Sequence, residues 1–200
     1  MKIFDRMLEA QELLGKSREH ARSPEEKELF LLAIDALWFV WRNGQSYEFE
    51  RYRRDDESNA PPWVIASFNT RDEAEVWVRE RPTSPDLALV LIADEYHVVL
   101  SSRDEQRRAL VPDLAIAIHI EEMTRNGLPP VVATFNTRDE AKAWWSGQAE
   151  PPPQAVIQIG SERYLAAFYE NIHHRALFPF SAVERLHAVR RRREQKEAGE

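Results

Sequence analysis

The chain has 200 residues, no cysteine and a formal net charge of -7 at pH 7. Without cysteine there is no thiol catalysis, no cysteine-ligated zinc or iron–sulfur cluster and no disulfide, a composition typical of the reducing cytoplasm. An acidic chain repels the phosphate backbone of nucleic acids, and the longest apolar run, residues 29–41, is shorter than the roughly 20 residues that span a bilayer. We therefore expect neither a nucleic-acid nor a membrane partner. Residues 1–12 also lack the apolar stretch of a secretion signal, so we expect a cytoplasmic protein.

Apolar residues at helical spacing predict helices in the first part of the chain. The first helix spans about residues 2–20. The second begins at the Ser-Pro-Glu-Glu sequence of residues 23–26, which supplies an N-cap, a proline in the first turn and a capping-box glutamate, and it ends at Gly44. Residues 46–54 form either a short third helix or a strand. We predict an N-terminal helical module over residues 1–57, in which the first two helices pair as an antiparallel hairpin.

Two similar segments follow a polar linker, residues 55–62, and they are offset by 67 residues. The sequence VIASFNTRDEA of residues 64–74 returns as VVATFNTRDEA in residues 131–141. Between residues 60–112 and 127–179, 19 of 53 positions are identical. The identities are too many and too evenly spread for chance, so we interpret the two segments as a tandem duplication.

Each repeat, 60–126 and 127–200, has the same order of predicted elements. A strand is followed by a helix, whose start is marked by a threonine and a glutamate at capping-box spacing, as in Thr70 and Glu73. A two-stranded hairpin and a second helix complete the unit. We predict an α+β fold in which an N-terminal helical hairpin, packed against the rest, precedes two tandem βαββα repeats with pseudo-twofold symmetry. The repeats share either a core or one continuous sheet, and their exposed edges allow a homodimer.

No catalytic motif is visible, because the sequence contains no Gly-rich phosphate loop, serine nucleophile elbow or HExxH sequence. Residues 94–97, Asp-Glu-Tyr-His, combine groups suited to acid–base chemistry. They fall at a predicted hairpin turn, however, and an ordinary polar turn is the better interpretation. His173 and His174 could ligate a metal, but neighbouring side chains in an extended chain point apart. We therefore predict a protein that is not an enzyme and needs no cofactor or metal.

Two arginines in the shared sequence block suggest an interaction. Arg71 and Arg138 each fall in the first turn of a predicted helix, where a cation opposes the helix dipole. Each arginine is therefore expected to have an acidic partner, and Glu95 and Glu162, which also occur in both repeats, are the candidates. The alternative is that a recent duplication has not diverged at these positions.

Aromatic residues and a basic tail are the other candidates for a surface. Most of the six tryptophans have the spacing of core residues, but Trp63, Trp145 and Tyr169 are expected to be partly exposed, because adjacent residues cannot share one face. With the four charged residues above, they form the predicted interaction surface. The arginines of residues 190–193 are better interpreted as a solvated helix end, which the dipole favours.

Three stretches carry a resemblance to a known family. They are the FNTRDEA block followed by tryptophan, the hairpin VLIADEYHVV of residues 90–99 and the opening FDRMLEAQ of residues 4–11. Over its whole length the chain resembles a lineage-restricted paralogous family of myxobacteria. The family has no known activity, so the resemblance implies a cytosolic bacterial protein from an expanded set, which would suit immunity proteins that match diversified toxins.

These observations lead to two hypotheses about function. The first is a non-enzymatic protein-binding module, in the form of an immunity or inhibitor protein that presents an acidic face to a basic partner. The alternative is a regulatory protein that senses a small ligand in a pocket between the two repeats. The pattern of a strand, the residues SF and a helix also looks like a SPOR peptidoglycan-binding domain, but the lack of an export signal argues against that function.

Overall fold

Two units make up the chain, Met1–Asn59 and Ala60–Glu200. The computed structural model describes residues 2–57, 60–102 and 107–197. No helix in these three ranges is long and apolar enough to cross a membrane. The predicted division of the second unit at residue 127 and the packing of the helical module against it stay predictions.

The first unit contains the predicted helices. Their bounds are α1 Ile3–Glu19, α2 Pro24–Arg42 and α3 Ser46–Glu57. Helix α2 begins where predicted, because the Ser23 hydroxyl accepts a hydrogen bond from the Glu26 amide at 3.1 Å. The Phe4 and Trp41 rings are 5.0 Å apart, which places the start of α1 beside the end of α2 in an antiparallel hairpin. The strand alternative for residues 46–54 is wrong, and Ser58 and Asn59 of the predicted linker lie outside the described residues.

The second unit contains two sheets of four strands each. The first sheet consists of β1 Ser67–Phe68, β2 Leu89–Ile92, β3 Glu95–Ser101 and β4 Arg108–Pro112. The second sheet consists of β5 Ala133–Phe135, β6 Gln154–Ile159, β7 Glu162–Tyr169 and β8 His174–Pro179. The helices are α4 Arg71–Glu80, α5 Ala115–Thr124, α6 Arg138–Ser146 and α7 Ala182–Glu197. Both sheets have their strands in chain order, with one parallel pair followed by two antiparallel pairs.

The predicted βαββα order is wrong in one respect, because each sheet has a fourth strand. In the sequence, β4 and most of β8 are Arg-Ala-Leu-x-Pro segments, for which no strand is predicted. Each pairs with the long strand before it, so that Val99 lies opposite Leu110 and Ala166 opposite Leu177. A proline at the end of an edge strand breaks no ladder hydrogen bond, so it is compatible with this pairing.

Both faces of each sheet are covered. Helix α4 packs on one face of the first sheet over Val90 and Val99, and α6 packs in the same way on the second sheet. The opposite faces meet in a single core that contains Leu91 from the first sheet and Leu165 from the second, with Ile120 of α5. The sequence left open whether the repeats share a core or one continuous sheet. The structure has two separate sheets that share a core.

The burial of Trp145 differs from the prediction. It was predicted to be partly exposed, but it is only 2% exposed between α6 and the second sheet. Its indole Nε1 donates a hydrogen bond to the Ala167 carbonyl oxygen at 3.1 Å. The neighbouring Trp144 is half-buried, and its ring stacks on Trp145 at 5.7 Å. The prediction failed because adjacent helical residues can both contact a sheet that is wider than one helix.

Trp145→Ala should lower the free energy of unfolding by about 3–5 kcal/mol, because it removes a fully buried ring and its hydrogen bond. Trp144→Ala is the matched control and should cost less, since that ring is partly in contact with solvent. Urea denaturation followed by circular dichroism measures both variants. Equal losses for the two tryptophans would contradict the burial described above.

Candidate functional site

The two first-turn arginines bind backbone carbonyls. Arg71 donates through Nη2 to the Leu110 carbonyl oxygen at 2.9 Å, and Arg138 donates through Nη2 to the Leu177 carbonyl oxygen at 3.2 Å. Arg71 also donates through Nε to Glu75 at 2.8 Å. The predicted pairing of these arginines with Glu95 and Glu162 is therefore wrong. Their shared contact is a tie between a helix and the last strand of its sheet.

The carbonyl that Arg71 binds lies on an open sheet edge. Leu110 of β4 faces Val99, whose amide and carbonyl are bonded to Ala88 and Leu87 on the opposite side, at 2.9 and 2.8 Å. The polar groups of Leu110 consequently point away from β3. The guanidinium covers an acceptor that the edge strand would otherwise present to water or to another strand.

Two more arginines hold the other end of these helices. Arg108 donates through Nη1 to the carbonyl oxygens of Val78 and Arg81 at 2.6 and 2.7 Å. Arg175 donates through Nη2 to the Gln148 carbonyl oxygen at 2.8 Å. Cations are favoured beside the carbonyls that end a helix. This role cannot be predicted from the sequence, because the acceptors are backbone carbonyls and no particular residue type marks them.

The two predicted glutamates contact residues other than Arg71 and Arg138. Glu95 is exposed, and its Oε1 is 3.4 Å from Nη1 of Arg185 on α7. Glu162 accepts hydrogen bonds from the Tyr164 hydroxyl at 3.2 Å and from the Ser181 amide at 3.3 Å. Both glutamates thus contact the second half of the unit through ordinary surface interactions.

Tyr169 is the second aromatic residue whose predicted exposure is wrong. It is 5% exposed, and its hydroxyl oxygen lies 2.5 Å from that of Tyr96, which donates to the Pro62 carbonyl oxygen at 2.9 Å. Burial raises the pKa of both hydroxyls, so they stay protonated at neutral pH. Trp63, the third predicted aromatic residue, is half-buried. Adjacent strand residues do face opposite sides, as predicted, but in this unit both sides are covered.

Asp94 joins the two sheets at a polar cluster. It lies in the β2–β3 turn with a φ of 62°, and its Oδ1 is 3.0 Å from Nε2 of His174 on β8. Its Oδ2 is 3.8 Å from Nη2 of Arg138 on α6. The Tyr169 ring stacks on the His174 ring with centroids 6.4 Å apart. Of the two adjacent histidines, only His174 enters this cluster.

Ionised Asp94 is favoured in the cluster. Burial by itself would raise the pKa of the carboxyl group. The hydrogen bond with His174, together with the charges of His174, Lys142 and Arg138, outweighs burial and holds the pKa of Asp94 below its ordinary value of 3.8. Asp94 therefore connects the first sheet to the second by a hydrogen bond with His174 and to α6 by an ion pair with Arg138.

Residues 94–97, for which the sequence favours a polar turn over an acid–base group, point their side chains to different places. The Asp94 carboxylate turns to His174, Tyr96 lies in the shared core, and the buried His97 donates through Nδ1 to the Glu95 carbonyl oxygen at 3.0 Å. Within residues 2–57, 60–102 and 107–197, no three His, Asp or Glu side chains are grouped so that they could hold a metal ion.

A cavity of about 340 Å³ lies beside the Asp94 cluster. Its wall comes from the β2–β3 turn, the start of α5, the end of β8 and α7. Polar groups at the cavity include Asp94, Asp113 and Arg138, whereas Leu114, Phe178 and other apolar side chains form the larger part of the wall. Two of the predicted surface residues, Arg138 and Glu95, contribute to it. An apolar pocket with a few converging polar groups is typical of a small-molecule site.

The outer face of α2, which we define as Leu29, Leu32, Ala36 and Phe39, is the most exposed apolar surface of the first unit. Leu29, Leu32 and Phe39 are 67%, 65% and 63% exposed, and Ala36 between them is exposed as well. No residue of α2 is fully buried, although the helix holds the longest apolar run of the chain. The apolar stripe that helical spacing predicts for the core lies on the other side of the helix and includes Phe30, Ile34 and Leu37.

A scan of the chain against protein-family models finds no match, and searches of the curated proteins and of the solved structures return no significant match either.

Asp94→Asn should destabilise the second unit in a pH-dependent way. Because the folded pKa of Asp94 lies below the ordinary value, its ionisation stabilises the fold above about pH 3.8, and this contribution is lost as the pH falls through the folded pKa. Asparagine tolerates the positive φ at this position. We expect the variant to be on the order of 1 kcal/mol less stable near pH 7, with the difference becoming smaller as the pH falls below 3.8. Urea denaturation across this range gives the measurement, and a difference that does not change with pH would rule the coupling out.

Proposed function

We propose that the chain is a non-enzymatic protein-binding module, and that the outer face of α2 is its docking surface. The observation that carries the proposal is the exposure of three large apolar side chains, Leu29, Leu32 and Phe39, on one side of one helix. Single exposed apolar residues are common on protein surfaces, but a contiguous group marks an interaction site.

The other side of α2 supports this proposal. Phe30, Ile34 and Leu37 are half-buried on the side opposite the outer face, so the helix is apolar on two sides. Helices with apolar residues all round are normally surrounded by other helices. In the first unit one of these sides has a partner, and the outer face is free to receive a second one.

The resemblance to a myxobacterial paralogous family favours an immunity or inhibitor protein as the form of this function. The net charge of -7 is compatible with a basic partner. The cytoplasmic location stays a prediction, as does a dimer formed through the sheet edges.

We also infer that the two sheets descend from one duplicated unit. The inference is supported by contacts that recur at the 67-residue offset of the sequence. Phe68 lies 5.3 Å from Trp77, and Phe135 lies 5.3 Å from Trp144. The arginine contacts with Leu110 and Leu177 follow the same offset.

A second candidate function is the sensing of a small ligand. It is favoured by the cavity of about 340 Å³ that both sheets line beside Asp94, a volume within the range of ligand pockets. A ligand bound there would contact both halves of the unit and could report on their packing.

Leu32→Glu should abolish binding of a protein partner, because it places a charge in the middle of the outer face of α2 while keeping a good helix former. Leu128→Glu is the matched control, since Leu128 is 62% exposed in the second unit and Leu32 is 65% exposed. Each tagged protein would be added to an extract of the source organism, and the size of the complex that contains it would be measured. A complex that is lost with Leu32→Glu and kept with Leu128→Glu supports the docking surface. A complex that survives both changes, or no complex for any of the three proteins, contradicts it.

Ligand sensing predicts stabilisation by a small molecule. In a thermal-shift screen, a metabolite at about 100 times its Kd should add roughly 2.7 kcal/mol to the stability, which raises Tm by several degrees. Val189→Trp should prevent the shift, because Val189 forms part of the cavity wall. Val132→Trp, at a 60% exposed position, should leave it unchanged. A shift that persists in Val189→Trp would place the ligand elsewhere.

A further inference from the structure

We propose that the partner on the outer face of α2 is a second copy of this chain, and that the two α2 helices pack antiparallel about a twofold axis. The proposal rests on the proposed docking surface, and it assigns that surface to self-association in place of a basic partner. It is carried by the spacing of the exposed apolar residues, by the second apolar side of the helix and by the charges beside the face.

The spacing is that of a seam between two helices. The residues of the outer face follow one another at steps of three, four and three, which is the alternation of core positions in a helix pair. Ala36 is small and lies near the middle of the row, where two helix axes come closest. In an antiparallel pair, Leu29 of one copy meets Phe39 of the other at the two ends of the row, and Leu32 meets Ala36 at its centre.

The hairpin of α1 and α2 makes a second copy the natural occupant. The Phe4 and Trp41 rings are in contact at 5.0 Å, so α1 already occupies one side of α2. When two such hairpins join through the outer faces of α2, each α2 lies between its own α1 and the α2 of the other copy, so both apolar sides of the helix are covered. A twofold axis needs only one self-complementary surface, and closed twofold dimers are the commonest oligomers.

The charges beside the face select the antiparallel direction. Glu28 and Arg42 are both exposed, and they lie two heptads apart on the same side of the row. Antiparallel packing brings Glu28 of each copy to Arg42 of the other, which gives two complementary pairs. Parallel packing would instead place the two copies of Glu28, and the two copies of Arg42, on opposite sides of the seam, so neither residue would meet its complementary charge. Arg42 is also held in place by its own Trp38 ring, 5.1 Å from the guanidinium carbon.

Asp35 provides a further test of the same geometry. It lies midway between Glu28 and Arg42 on the same side of the row and is exposed. In the antiparallel dimer the two copies of Asp35 face each other next to the axis, where like charges repel. Asp35→Asn should therefore tighten the dimer.

The test uses the purified full-length chain and two charge variants, Glu28→Arg and Arg42→Glu, with the dimer Kd measured by sedimentation equilibrium. Each variant alone replaces two attractive contacts by two repulsive ones, so its Kd should rise roughly tenfold to thirtyfold. An equimolar mixture should recover the wild-type Kd. In the mixed dimer, one chain carries two arginines along the seam and the other carries two carboxylates. Variants that bind no better when mixed would overturn the antiparallel pairing.

Other results separate this proposal from the proposed function. Leu32→Glu should convert the dimer to a monomer, whereas Leu128→Glu should not. A wild-type chain that stays monomeric at every concentration overturns self-association. A dimer that survives Leu32→Glu overturns it too, and points to the sheet edges instead. If the purified chain is monomeric but the extract still yields a complex that Leu32→Glu removes, the docking surface stands with a different partner.

Discussion

One helix covers only one face of a four-stranded sheet, and this constraint organises the second unit. The face opposite α4 carries Leu91 and Tyr96, and the face opposite α6 carries Leu165 and Tyr169. Neither face could stay in water without a large loss of hydrophobic stabilisation. The two faces therefore bury each other. The tyrosine hydroxyls brought into that core find partners in each other and in the Pro62 carbonyl, as buried polar groups require.

The arginine contacts explain how each helix keeps its place on its sheet. Arg71 fastens the start of α4 to β4, and Arg108 fastens β4 to the end of the same helix. Both arginines bind backbone carbonyls, so the tie does not depend on which side chains line the sheet edge. Because Arg138 makes the equivalent contact in the second half while also lying 3.8 Å from Asp94, one side chain links the local packing of α6 to the contact between the sheets.

Local signals in the sequence predicted the helices well and the long-range contacts poorly. The capping boxes at Thr70 and Thr137 are present, with threonine and glutamate each satisfying a backbone amide. These signals work because capping involves residues that are three or four apart. The fourth strands were missed because a strand of five or six residues that ends in proline depends on pairing with its neighbouring strand, β3 or β7. The burial of Tyr169 was missed because it depends on a sheet that is distant in the sequence.

The outer face of α2 belongs to the longest apolar run of the sequence, yet the structure leaves this side of the helix exposed. Fully burying a large apolar side chain contributes roughly 1.5–3 kcal/mol. Three such side chains in each of two copies, about two-thirds exposed at present, would contribute on the order of 6–12 kcal/mol. Association costs roughly 4–15 kcal/mol in lost translational and rotational freedom. Because these terms are similar in size, the apolar face alone does not fix the affinity. The charges of Glu28, Asp35 and Arg42 then decide whether two copies associate at the concentration of the cell.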